Sequence, residues 1–301
     1  MHFVPKRSAL RGVHADKVSP SDNHRVKVAG VITRRHAYDT IPGMVLDATI
    51  LSIFRYTRSS WLVTLLCVTP AFASAVECSE IQFQGTRSTI CRVDLRTDHL
   101  KLFLNDESGK PFTSFRRVAQ SLAAHDQQLA FAMNAGMYRE DYSAVGLLVM
   151  DGHQVHRLNL ASGFGNFYLK PNGIFVLAAS GARIIESSEY RSLPAPAILA
   201  TQSGPLLLHA GQINPSLSPQ GTSRLIRNGV GVVSAHEVVF AISEDPINFY
   251  DFALLFRDRL ECDDALYLDG NVSSLYSRGL GRDDERVPLG PIVGITMSLP
   301  K

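Results

Sequence analysis

Short apolar runs, each closed by Gly, Pro, Asn or Asp, recur along the chain after residue 127, and runs this brief fit strands better than helices. Gln128–Met133 and Gly146–Met150 are two of them. The second runs into Asp151-Gly152, a tight hairpin-turn signal. Phe167–Lys170 and Ile174–Leu177 flank Pro171-Asn172-Gly173, which predicts a further strand–turn–strand unit. Ala197–Thr201 and Pro205–Leu208 flank the break at Ser203-Gly204. Asn228–Val233 precedes Val238–Ile242, an apolar strand from Ala265 ends at Asp269-Gly270, and Ile292–Met297 predicts the last strand.

Two segments turn the pattern toward helix. Ser114 is a capping residue followed by Phe115, Val118, Ala119 and Leu122 on one face. Asn248 precedes Phe249, Phe252, Ala253, Phe256 and Leu260, which share a helical face, and Asp251 sits near the positive end of the helix dipole. That aromatic stripe reads as core, not as a cofactor site. No repeat of fixed period and no Pro-, Gly- or Ser-rich linker divides residues 76–301. The expected fold is α+β: a single domain of mixed or antiparallel β-sheets with a few packed helices.

The front of the chain differs in composition. Residues 1–75 carry ten Lys and Arg against four Asp and Glu, whereas residues 76–301 carry twenty against twenty-four. The formal net charge of +2 thus hides a mildly acidic domain behind a basic segment, and gives no reason to expect a nucleic-acid partner. Arg55 and Arg58 precede the apolar run Trp61–Val68, which gives way to Pro70 and Ala71-Phe72-Ala73-Ser74-Ala75. A positive flank, a short apolar core and an A-x-A site are the parts of a secretory signal peptide, and the run is too short to span a bilayer. The expected layout is a disordered extension or over-long start at 1–43, a signal peptide at 44–75 beginning at Met44, and an exported domain at 76–301. That domain would be periplasmic or secreted, with no membrane anchor after cleavage.

Cleavage would leave Cys78, Cys91 and Cys262. No Cys or His spacing suggests zinc. Cys78 and Cys91 stand at either end of a hairpin-like stretch, so a disulfide is expected in an oxidising compartment, with Cys262 left as a buried apolar residue. Three reduced, buried thiols are the alternative.

Polar residues gather where the apolar runs stop, the places from which loops present side chains to a cleft. Asn134 ends one run, and Gly136 permits close backbone approach. Thr201-Gln202-Ser203-Gly204-Pro205 offers hydrogen-bonding side chains before a Gly whose neighbouring N–H groups suit an anionic oxygen. It is not a G-x-S-x-G elbow, so Ser203 is no nucleophile by motif. Arg227 and Asn228 precede a Gly-containing strand, and an Arg fork matches phosphate or carboxylate oxygens. Asp269 arrives at the end of an apolar strand, followed by Gly270, Asn271, Ser273 and Ser274; such a carboxylate suits acid–base work or a sugar hydroxyl.

Taken in order, six stretches resemble the phosphodiester glycosidase family: Asn134-Ala-Gly-Met, Gly146-Leu-Leu-Val, Lys170-Pro-Asn-Gly, Thr201-Gln-Ser-Gly-Pro, Arg227-Asn-Gly-Val-Gly and Leu268-Asp-Gly-Asn-Val-Ser-Ser. Here Asn271-Val272 comes after Asp269-Gly270, where the family's animal member has a more Gly-rich stretch, which points to a bacterial exported branch. The resemblance implies hydrolysis of a sugar-1-phosphodiester to free sugar and phosphomonoester. By that reading Asp269 activates water or stabilises an oxocarbenium-like centre, and Arg227, with Lys170, holds the diester charge. Asn134 belongs to the catalytic set, and Gly136, Gln202, Ser203, Gly204, Asn228, Asn271 and Ser273 line the substrate.

The substrate expected is a small molecule or glycan carrying a phosphodiester. No cofactor is expected; Asp269, Asn271 and Ser273 offer oxygens to a divalent cation, but no metal site is assigned. One alternative, a periplasmic sugar- or glycan-binding protein without turnover, uses the same residues; a second is a peptidoglycan or envelope scaffold protein. Product release separates the first from an enzyme. Failure of Asn134, Arg227 and Asp269 to gather would favour the second.

Overall fold

The computed structural model describes residues 76–284 and 286–299, so the basic extension and the signal peptide read from the sequence lie outside the described residues. The described chain forms three sheets. The largest has the spatial order Glu77–Phe83, Thr86–Asp94, Glu237–Ser243, Asn228–Ser234, Asp264–Asp269, Leu206–His209, Gln212–Ile213. A second has the order Arg282–Asp283, Leu275–Ser277, Gln127–Asn134, Ile292–Ser298, Leu100–Phe103. The third has the order His153–His156, Leu148–Met150, Ala197–Ser203, Gly173–Ala178, Gly181–Glu186.

All strand pairings among the described residues are antiparallel, so the expectation of mixed or antiparallel sheets resolves to the second. Tight turns make this possible. Gln84-Gly85, Asp151-Gly152 and Ala210-Gly211 each join two strands with positive φ at both residues, the conformation whose twist matches that of the flanking strands. Only two α-helices, Phe115–Ala123 and Phe249–Leu254, occur among the described residues. The fold is therefore richer in β-structure than the α+β expectation.

One core joins the sheets. Phe131, Phe175 and Phe240 come one from each sheet and are almost wholly buried. Their ring centroids lie 5.1 Å apart for Phe131–Phe240 and 6.2 Å for Phe175–Phe240, spacings at which aromatic pairs add about 0.5–1.5 kcal/mol beyond their burial. The helices cover outer faces. Ser114 caps the first by accepting the Arg117 N–H, and Phe115, Val118 and Leu122 pack on Leu129 and Ile292. Asn248 caps the second through the Asp251 N–H at 2.7 Å. That helix continues as one π-turn, Leu255–Arg259, and its aromatic stripe is core: Phe252, Phe256 and Leu260 pack against the largest sheet.

One expected strand is not formed. Within Phe167–Lys170 the chain makes a 3₁₀ turn, Asn166–Tyr168, in which Tyr168 and Leu169 N–H donate to the carbonyls of Gly165 and Asn166. Phe167 alone in that run is buried, so the run has no face to lay on a sheet. Cys78 and Cys91 stand directly opposite one another in the register, with Cα atoms 4.1 Å apart, and form a disulfide; Cys262 is free and buried. No helix among the described residues is long and apolar enough to cross a membrane.

Candidate active site

Asn134 ends Gln127–Asn134 and Asn228 begins Asn228–Ser234; they lie in different sheets, and both are fully buried. Asn228 Nδ2 donates to Oδ1 and to the carbonyl oxygen of Asn134, at 3.0 Å each. Asn228 Oδ1 accepts the Asp269 N–H at 3.0 Å, and Asn134 Oδ1 accepts the Ser274 N–H at 2.9 Å. The Ser273 hydroxyl lies 2.9 Å from the Asp269 carbonyl oxygen. The two amides thus fix both ends of the turn 269–274.

A β-bulge aims that turn. Asn228 pairs with Asp269, but Gly229 pairs with Tyr267, leaving Leu268 as the extra residue. The Ser203 hydroxyl donates to the Leu268 carbonyl at 2.8 Å, tying the third sheet to the bulge. At the end of the strand, Asp269 Oδ1 accepts the N–H of Gly270 at 2.6 Å and of Asn271 at 3.0 Å. Burial pushes the Asp269 carboxyl above the ordinary carboxylate range, against the opposing pull of the Asn271, Gly270 and Val272 N–H groups. It has no ion-pair partner among the described residues.

Asp269 lies in the wall of a cavity of about 490 Å³, which it shares with Asn271, Tyr138, Arg139, Asn166 and Tyr168. Phe164, fully exposed between Gly163 and Gly165, stands at its rim. The Tyr138 phenol donates to the Pro288 carbonyl at 2.5 Å, and burial, then the Asp269 charge, pushes it up.

Of the residues read from sequence, Asp269 and Asn271 line this cavity, with Asn134, Asn228 and Ser273 behind them holding the turn. Gly136, at φ +150°, packs against Thr201 and Gln202, where a Cβ would come within 3.2 Å of Thr201 Oγ1. Four others lie elsewhere. Gln202 is buried: its Oε1 accepts the N–H groups of Leu147 and Asn159, and its Nε2 donates to the Asn159 carbonyl and Ser187 Oγ. No amide atom is left for a sugar. Gly204 is buried against Asn172 and Phe167. Ser203 is bound to the bulge, and exposed Lys170 bonds Asn172 Oδ1 at 3.0 Å.

Arg227 is fully buried and does not line the cavity. Its guanidinium carbon sits 3.6 Å over the Phe249 ring and 5.3 Å from the Tyr267 ring centre. Nε donates to the Ile247 carbonyl at 2.8 Å, and Nη2 donates to the Ser223 carbonyl at 2.9 Å. Nη1 and the Tyr267 hydroxyl, both buried, meet no well-formed hydrogen-bond partner among the described residues, although Arg227 and Tyr267 lie close enough to interact with each other. Burial pushes the Tyr267 phenol strongly upward. Strand alternation placed Arg227 at a strand edge but could not show that the helix from Asn248 would cover it.

Tyr138, Arg139, Phe164, Asn166 and Tyr168 were not marked by the motifs. Tyr138-Arg139 directly continues the Asn134-Ala-Gly-Met stretch, and Phe164 between two glycines was the signal for an exposed aromatic. Among the described residues no group of three or more His, Cys, Asp and Glu is placed to hold a metal ion.

Residues 127–292 match the sequence profile of the phosphodiester glycosidase family. An uncharacterized protein of Escherichia coli (strain K12), YigE, is 32% identical over 230 residues, 76% of this chain and 90% of that one. The catalytic domain of zebrafish N-acetylglucosamine-1-phosphodiester α-N-acetylglucosaminidase, auto-inhibited by its pro-peptide, superposes with a TM-score of 0.53 at 14% identity, over 73% of this chain and 81% of that domain. That likeness is one of fold. The profile match, over more than half of its length, places the chain in the phosphodiester glycosidase family.

Proposed function

We propose that the protein is an exported hydrolase that cleaves a sugar-1-phosphodiester into free sugar and a phosphomonoester. The observation that carries this reading is the placement of Asp269: a buried carboxyl of raised pKa in the wall of a cavity sized for a sugar derivative. Water adds to the anomeric carbon, the bond from that carbon to the phosphate oxygen breaks, and the bonding pair leaves with the phosphate. Asp269 takes the proton of the attacking water, or stabilises the cationic centre as it forms. The water oxygen becomes the sugar's anomeric hydroxyl. A phosphate is already a good leaving group, so one carboxyl suffices where ordinary glycosides need two.

Asn134, Asn228 and Ser273 position the Asp269 turn and do not touch the sugar, because they are buried and bonded to one another. Asn271, exposed in the cavity wall, is the amide that meets the substrate. The disulfide between Cys78 and Cys91 supports an oxidising compartment, as does the signal-like segment at 44–75. N-acetylglucosaminyl and glucosyl phosphodiesters are the first substrates to assay, the former because the zebrafish enzyme is named for it. The test is sugar release by the purified protein and its loss in Asp269→Asn.

One observation favours a second reading, a sugar-phosphate-binding protein without turnover: among the described residues Asp269 is the only carboxylate lining the cavity. Saturable binding of the diesters with no sugar released from any of them would select it.

A further inference from the structure

Arg227 and Lys170, the two cations that the motifs assigned to the diester charge, do not line the cavity: one is sealed under Phe249, the other is bound to Asn172. The cavity nonetheless has a cation. Arg139 is exposed, and it is the only Lys, Arg or His among the described residues that line the cavity. We infer that Arg139 is the residue that receives the negative charge of the substrate, and that His156 holds it in position. This rests on the reading that the cavity of Asp269 takes a sugar phosphodiester.

Geometry supports the first half. Arg139 is clamped by acceptors on one side: Nη1 donates to the Ala144 carbonyl and reaches Ser143 Oγ at 3.4 Å, and Nη2 donates to the Val145 carbonyl at 3.2 Å. These partners are neutral, so none of them offsets the guanidinium's charge. Asp141, two residues on, accepts the N–H and hydroxyl of Ser143 at Oδ1, at 3.0 and 2.6 Å, and the Arg139 charge adds a smaller pull that lowers its carboxyl. A fixed planar fork whose charge is only partly offset, by Asp141, suits a phosphodiester's two free oxygens.

The chemistry of His156 supports the second half. Its Nδ1 lies 2.7 Å from the Gly146 carbonyl oxygen, which can only accept. Nδ1 therefore carries the proton. In the neutral ring Nε2 is then an acceptor, and it faces Arg139 Nη1 at 3.2 Å, which can only donate. His156 is thus a neutral bridge between the backbone at Gly146 and the guanidinium. Gln202 reinforces the same region by binding the N–H groups of Leu147 and Asn159, while Asn159 Nδ2 donates to the Val145 carbonyl. Residues 143–145 and His156 touch the guanidinium, and Gln202 and Asn159 hold the backbone behind them.

The experiment compares ligands that differ in charge. Methyl N-acetyl-α-glucosaminyl phosphate, its α-glucosyl counterpart and the free sugars are titrated calorimetrically into the purified Asp269→Asn protein, which keeps the substrate whole. The same titrations are repeated after adding Arg139→Gln, Arg139→Lys, His156→Ala or His156→Gln. Arg139→Gln is expected to raise the Kd for a diester about tenfold or more, leaving that of the free sugar unchanged, and to remove most of the salt dependence of binding. Arg139→Lys keeps the charge and loses the fork, so its Kd falls between the two; it also serves if Arg139→Gln does not fold. His156→Ala weakens diester binding several-fold, and His156→Gln, whose amide can donate to Gly146 and accept from Arg139, restores it. Unchanged diester affinity in the folded Arg139 variants overturns the assignment of the charge, and equal affinity in His156→Ala and His156→Gln overturns the bridge. A protein that binds the diesters through Arg139 but never cleaves them loses the hydrolase reading and keeps this one. A protein that binds no phosphodiester loses both.

Discussion

Asn134 and Asn228 grip each other across two sheets, and each amide also holds one end of the turn that carries Asp269. The pair sits where a strand of the five-stranded sheet stops and a strand of the seven-stranded sheet starts. Neither side chain sees solvent. A buried amide with all its partners made is cheap to keep and expensive to disturb, because its loss strands several groups at once.

Asn228→Ala leaves the Asp269 N–H and Asn134 Oδ1 each short of a partner, at about 1–3 kcal/mol for each group left unsatisfied. Asn134→Ala does the same from the other side. Urea unfolding of both single variants and the double variant should give a coupling of about 0.5–3 kcal/mol, with the double variant costing less than the sum. Additive losses would mean that the two amides do not act as a unit.

Asp269 makes a prediction about pH. Burial raises its folded pKa, so the folded state holds this proton at pH values where the unfolded chain, near 3.9, has already released it. The contribution to stability is present below the unfolded value and is lost as pH rises through the folded one. Asp269→Asn removes that loss while its amide oxygen can still accept from Gly270 and Asn271. The variant should therefore unfold at a higher temperature than the parent at pH 7, with the gain vanishing near pH 3. Its activity should move the other way, falling by about 10²-fold or more if the carboxylate acts as base. In the parent, the acid limb of kcat/KM should lie above the ordinary carboxylate range. A variant less stable than the parent at pH 7 would show that the backbone bonds outweigh burial.

Gly146 tests how tightly the cavity's support is packed. A Cβ there would fall 2.5 Å from Gln202 Oε1 and 2.7 Å from Phe167 Cζ. Neither can retreat easily, since Oε1 holds two N–H groups and Phe167 is buried. Gly146→Ala should cost about 1–3 kcal/mol by crowding alone, read from the denaturation midpoint. A neutral result would mean that Gln202 can leave its network without loss.

The sheets were legible in the sequence because apolar runs and turn residues are local signals. Asp151-Gly152 marked its hairpin outright, whereas Gln84-Gly85 and Ala210-Gly211 form the same turn with a first residue that carries no turn signature. Phe167–Lys170 misled because an apolar run says nothing about whether a neighbouring strand exists to pair with it. Asp269 and Asn271 were legible because a strand that ends abruptly in Asp-Gly turns there, and polar side chains at such a turn are the ones a cavity wall can use. Arg227, Gln202 and Lys170 have the right chemistry, and only the packing of Phe249, Asn159 and Asn172 around them decides that they face inward or aside. Arg139 was hidden for the converse reason: its place in the cavity depends on carbonyls at 144 and 145 and on a histidine seventeen positions away.

The thiols give a count. Cys78 and Cys91 are bonded, and burial pushes the Cys262 thiol up to about 12, so it is protonated and shielded at neutral pH. Alkylation of the purified protein, read by mass on the peptides that carry these three cysteines, should add no label to Cys78, Cys91 or Cys262 in the native state. It should add one label after unfolding, at Cys262, and three after unfolding with reductant. Two labels at Cys78 and Cys91 without reductant would show that the bond is not formed in the purified protein.

Arg227 separates a structural cation from one that touches substrate. Its fork braces two carbonyls, of Ile247 and Ser223, while its face lies on Phe249. Lysine's three donors sit on one nitrogen, so they do not reproduce the separate Nε and Nη2 that reach the two carbonyls, and the ammonium does not stack as a plane. Arg227→Lys should therefore lose stability, by about 1–3 kcal/mol for each buried carbonyl left unpaired, in urea unfolding. Because the guanidinium has no solvent exposure, the ratio of Kd for a charged diester to that for the free sugar should stay as in the parent at temperatures where both are folded. Arg139→Gln should change that ratio and lose less stability than Arg227→Lys, since its bonds to the Ala144 and Val145 carbonyls are made by an exposed guanidinium. The two variants thus exchange signatures. If Arg227→Lys keeps its stability and alone raises Kd for the diester, Arg227 reaches the substrate through a rearrangement of the Phe249 helix, and the charge belongs to it instead.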